Sequence, residues 1–75
     1  MTKMRILLNT EKDLLKFLEK TSDYKADVNI RTGGYFIDAK SLLGVMGIGY
    51  GKQVILEANT DDAEDVRRTF QEYLV

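Results

Sequence analysis

The stretch ADVNIRTGGYFIDAKSLLGVMGIGYGKQVILEA, Ala26–Ala58, holds two runs of alternating apolar and polar residues joined by paired glycines, then four more glycines in close succession. Ala26, Val28 and Ile30 alternate with Asp27, Asn29 and Arg31, the two-residue period of a half-buried strand. Glycine takes positive φ without steric cost, so Gly33-Gly34 predicts a tight hairpin with positive φ at both, after which Tyr35 to Ala39 returns as the partner strand. Ser41 can cap a short helix running to Gly47, and Lys52 to Ala58 reads as a further strand with Val54, Leu56 and Ala58 on one face.

The glycines at 44, 47, 49 and 51 fit neither common phosphate-binding loop. A dinucleotide loop needs glycines at i, i+2 and i+5, but the third place falls on Lys52 counting from Gly47 and on Val54 counting from Gly49. A nucleoside-triphosphate loop ending in Gly51-Lys52 needs glycine at 46 and a hydroxyl at 53, where Met46 and Gln53 stand. The glycines therefore read as the end of the short helix and a close turn into the next strand.

Outward from this centre, Met4, Ile6 and Leu8 alternate with Arg5 and Leu7 as a first strand. Thr10 can then cap a helix to about Lys20 that carries Leu14, Leu15, Phe17 and Leu18 as its apolar stripe. At the other end Asn59, Thr60 or Asp61 can cap a last helix in which Ala63, Val66, Phe70, Tyr73 and Leu74 recur at helical spacing. The order is β-α-β-β-α-β-α. Strands with one apolar and one polar face predict an α+β fold, a four-stranded antiparallel sheet covered by three helices on one side and wet on the other. No repeat, low-complexity tract or proline interrupts the 75 residues, which form a single domain, 1–75.

Composition narrows the function. Eleven basic residues against 12 acidic ones, a net charge of −1, give no footprint for nucleic acid. The longest early apolar run, Ile6-Leu7-Leu8, is too short for a signal peptide or a spanning helix, so no membrane role and a cytoplasmic location are expected. With no cysteine and no histidine, the chain lacks the usual zinc ligands, a thiol nucleophile and the commonest acid-base group. No metal, no cofactor and no enzymatic activity are expected.

Ala26–Ala58, and most specifically AKSLLGVM at Ala39–Met46, resembles the histidine-containing phosphocarrier family, HPr, of the bacterial sugar phosphotransferase system, and the likeness extends over roughly Ala26 to Leu74. The resemblance implies the family's open-faced β-sandwich, in the element order read above. In that family a histidine opening the first helix carries the phosphoryl group beside an arginine. Aligned back from Ala26, Thr10 stands at the histidine's place and Lys12 at the arginine's, in a segment that is shortened as well as substituted. A hydroxyl forms a stable phosphoester rather than the high-energy N-phosphoryl bond a relay requires, so Thr10 is expected to be a helix cap.

Ser41 matches the serine that a dedicated kinase phosphorylates in many Gram-positive relatives, whose modified form binds a transcriptional regulator. Serine is also a favoured N-cap, a role that needs nothing further and with which modification is compatible. By the same resemblance Leu42, Leu43 and Met46 form an apolar patch that docks partner proteins. Two functions are thus in view. One is a regulatory docking module that cannot carry phosphohistidine and meets a protein partner such as a serine kinase or transcriptional regulator. The other is a small-molecule-binding or enzymatic ferredoxin-like domain using Asp38, Lys40 and the glycine turn.

Overall fold

A computed structural model describes residues Met1–Val75. The elements are β1 (Thr2–Leu8), α1 (Glu11–Asp23), β2 (Val28–Thr32), β3 (Tyr35–Asp38), α2 (Leu42–Ile48), β4 (Lys52–Ala58) and α3 (Ala63–Phe70), which runs into a 3-10 turn at Gln71–Tyr73. The sheet order is β1-β4-β2-β3 and every neighbouring pair is antiparallel. β1 and β2 therefore run parallel with β4 between them, and the three helices pack against the one apolar sheet face in the open-sandwich arrangement. Register explains the two-faced strands. Ile6 faces Val54, Met4 faces Leu56, and Leu56 faces Ile30, so one row after another points into the core.

The hairpin differs from expectation at one glycine. Only Gly33 has positive φ (56°) and Gly34 does not, the pattern of a turn with its strained residue in the first central position. Gly49 (φ 80°) closes α2 and Gly51 (φ 86°) turns the chain into β4, where its amide donates to the Leu8 carbonyl at 2.7 Å.

Helix α1 runs three residues beyond Lys20, and its stripe is Leu14, Phe17, Leu18 and Thr21. Leu15, expected inside, is exposed. Thr21 lies at the i+7 position from Leu14 and is fully buried, its hydroxyl donating to the Ala39 carbonyl at 2.6 Å. We expect Thr21→Val, nearly isosteric, to cost about 1–3 kcal/mol by leaving that carbonyl unpaired, read as a drop in the urea midpoint.

The last helix is capped by Asp62, whose side chain accepts from the Asp65 amide at 3.1 Å, rather than by Asn59, Thr60 or Asp61. It also stops at Phe70, and Ala63 is exposed. The chain tightens into the 3-10 turn, which drops the Tyr73 ring edge-on against Phe17 (5.5 Å between centroids) and lets Leu74 bridge to Ile6 on the β1 edge. Phe70 meets Phe17 at 5.7 Å and Tyr24 at 5.5 Å, completing the aromatic centre.

Tyr24 leaves that centre with its hydroxyl donating to Asp65 at 2.7 Å, and burial foremost pushes its phenol up to about 12. Asp65 also accepts from Arg68 at 2.8 Å. Chiefly through the Tyr24 hydroxyl, its carboxyl is held below the usual range. A carboxyl with a depressed folded value contributes stability above its unfolded value of roughly 3.9, and the contribution is lost as pH falls through the lower folded value. Thermal midpoints from pH 7 to pH 2 should therefore fall more steeply below about pH 4 in the native chain than in Asp65→Asn, and converge at the acid end. Parallel curves would contradict the assignment.

Candidate functional site

The segment between β3 and β4 is fixed before α2 begins. Ala39 is buried, its amide donating to the Val28 carbonyl at 2.9 Å and its carbonyl held by Thr21. Asp38 folds the next step into a turn, accepting from the Lys40 amide at its carboxylate (2.9 Å) and from the Ser41 amide at its carbonyl (3.1 Å). The Lys40 ammonium reaches the Tyr24 carbonyl at 3.1 Å. Of the polar groups proposed for small-molecule chemistry, Asp38 thus serves the turn and the Lys40 ammonium ties it to the end of α1.

Ser41 follows in extended conformation as the N-cap of α2, its Oγ accepting from the Gly44 amide at 3.2 Å and its carbonyl from the Val45 amide at 2.9 Å. It is half-buried, and the first turn of α2 holds no acidic side chain. Gly44 sets the seating of the helix: a Cβ there would lie 2.6 Å from Ile37 Cγ2, so only glycine lets α2 come this close to β3. Seated so, Val45 and Ile48 enter the core.

Leu42 (53% exposed), Leu43 (86%) and Met46 (43%) are left outside. Met46 lies four residues after Leu42 and three after Leu43, so the three share one helical surface. The result is an apolar face, free of charge, immediately beyond a serine hydroxyl.

Thr10 is the N-cap of α1, accepting from the Asp13 amide at 3.1 Å, while the Asp13 carboxylate reaches back to the Asn9 amide at 3.2 Å. Lys12 is exposed on that first turn. The Gly51–Leu8 hydrogen bond brings the exit of α2 beside the end of β1 and hence near this helix start.

Two features are not visible in the local sequence. Glu57 sits on the outer sheet face yet is buried, because Arg31 covers it with a 2.6 Å ion pair that holds its carboxyl below the usual range, while the guanidinium lies 5.0 Å from the centre of the Phe36 ring. The cross-strand pairing of Asn29 with Glu57, next to Arg31 with Ile55, is the signal that would have found it, and it exists only once the register is known. The other is a cavity of about 360 Å³ between α2 and the β2–β3 hairpin, lined by neither Asp38 nor Lys40.

Comparison with known proteins agrees with this geometry. The family model described as the PTS HPr component phosphorylation site matches residues 15–75, starting after Thr10 and Lys12. Among solved structures, HPr-C-His from Thermoanaerobacter tengcongensis is similar with a TM-score of 0.79 and 22% identity, over 96% of this chain and 89% of that one. A phosphocarrier protein HPr from Bacillus anthracis str. Ames gives 0.76 and 21%, over 99% and 96%. The histidine-containing phosphocarrier protein of a Mycoplasma gives 0.74 and 14%, over 95% and 89%. At such identities these structures speak for the fold. The family match, spanning three of the four strands and nearly all the helical residues, decides the rest: this chain belongs to the HPr family of the phosphotransferase system.

Proposed function

We propose that this chain is a regulatory, protein-docking member of the HPr family that works in the cytoplasm without a phosphohistidine and without enzymatic activity of its own. Its partner side is the Ser41 start of α2 with Leu42, Leu43 and Met46, and its partners are a serine kinase or a transcriptional regulator. The observation that carries the reading is the exposure of those three large apolar side chains on a helix whose opposite face, Val45 and Ile48, already seals the core. Exposing them costs hydration free energy that burial against a partner recovers. The absence of histidine supports the other half, since no imidazole is available for an N-phosphoryl bond.

Phosphorylation of Ser41 would add nearly two negative charges at a helix start that carries no acidic side chain, beside the exposed apolar face, and so change what that face attracts. The test is incubation with the HPr-directed serine kinase and ATP, with the label mapped by mass spectrometry. Label on Ser41, lost in Ser41→Ala, is the expected result, and that variant should be about 1 kcal/mol less stable from the missing cap. A kinase that labels an ordinary HPr and leaves this chain unmodified would reduce Ser41 to a cap.

A further inference from the structure

Gly47 is the glycine of α2 that its own fold does not explain. Gly44 is required by the contact with Ile37 and Gly49 by its positive φ, whereas Gly47 has ordinary helical backbone, and a Cβ added there would meet nothing within 4 Å. Glycine inside a helix is less favourable than alanine, so the missing side chain weakens α2 with no return in packing. What it leaves is space. Gly47 forms one wall of the 360 Å³ groove between α2 and the hairpin, a volume within the range of small-molecule sites.

The other walls are mostly apolar, with Thr32 and Lys52 the polar exceptions, and two of them are unusually bare. Leu43 (86% exposed) and Tyr35 (72% exposed) are the two most exposed large hydrophobic side chains of the protein, and they line the same groove from different elements, over a floor that includes Ile37. One charge joins them. Lys52, at the start of β4, lines the groove with no ion pair to any carboxylate of the chain. An apolar slot with a single unpaired ammonium is complementary to a ligand with an apolar body and one anionic end. Lys52 is exposed, so a neutral ligand would forgo the ion pair and leave the ammonium to water, and a cation would be repelled.

We propose that this groove binds a small amphipathic carboxylate of the aryl-alkanoate class, its ring between Tyr35 and Leu43 over Gly47 and its carboxylate on Lys52. The inference goes beyond the docking role and does not need Ser41, so Ser41→Ala is expected to leave binding unchanged whatever the kinase does.

Phenylbutyrate and its neutral amide, phenylbutyramide, serve as matched probes in amide NMR titrations of the full chain. Phenylbutyrate is expected to give saturable shifts at Tyr35, Gly44, Gly47 and Lys52. The amide should bind about three- to five-fold more weakly, the worth of one exposed ion pair. Lys52→Met should erase the difference between the probes. Gly47→Val should fill the groove and remove the shifts for both, while Gly47→Ala, which favours the helix, gives a partial loss if the valine variant does not fold. Shifts that do not saturate, that map away from the groove or that survive Gly47→Val in a folded protein would overturn the site, and equal binding of the two probes would overturn the anion assignment.

Discussion

Phe17→Ala is expected to lower stability by about 3–5 kcal/mol, most of the margin available to a domain of this size. Phe17 is fully buried at the meeting point of α1, α3 and the C-terminal turn, with Phe70 and Tyr73 against its ring at 5.7 and 5.5 Å. Truncation removes the transfer free energy of the ring and leaves a cavity among side chains fixed by the sheet behind them. The neighbours cannot close it. α1 is tied to Ala39 through Thr21, and the C-terminal turn to β1 through Leu74 and Ile6. Urea unfolding followed by circular dichroism measures the effect, and a loss below about 1 kcal/mol would show that the three elements do not share one core.

Leu43→Asp should act in the opposite way, large on binding and small on stability. The side chain is 86% exposed and packs little against its own fold, so the change in folding free energy should stay within about 0.5 kcal/mol. On the proposed docking face, an introduced carboxylate would meet desolvation without a partner. A buried anchor of this kind is worth about 2 kcal/mol or more, so kcat/KM for phosphorylation of Ser41 by the kinase should fall roughly 30-fold. Unchanged kcat/KM with an unchanged thermal midpoint would remove Leu43 from the docking face.

Much of this architecture is legible in local sequence because the forces that set it are local. β2 and β4 show their buried face in the two-residue period, Gly49 and Gly51 mark the conformations only glycine adopts freely, and Thr10 and Ser41 cap through amides three residues on. Where reading failed, the deciding partner lay far along the chain. Thr21 does not read as apolar, yet it completes the α1 stripe because the Ala39 carbonyl, eighteen residues away, takes its proton. Leu15 is as hydrophobic as Leu14 but stands one residue around the helix, outside the arc the sheet covers. The helical spacing of Phe70, Tyr73 and Leu74 continues past the true helix end, since pairing Leu74 with Ile6 outweighs the propensity to stay helical. The groove at Gly47 is of the same kind: its walls come from the β2–β3 hairpin, α2 and the start of β4, which only the fold brings together.

The chain keeps the family fold, and the function proposed for it dispenses with the phosphohistidine relay. Exposure to labelled phosphoenolpyruvate and the general phosphotransferase enzyme, with an ordinary HPr as positive control, tests that directly. An N-phosphoryl group is acid-labile and a serine or threonine phosphoester is acid-stable, so the chemistry of any label identifies the type of carrier. The control should be labelled and this chain should remain bare, with Thr10 unmodified at its capping position. Acid-labile label on this chain would contradict the account.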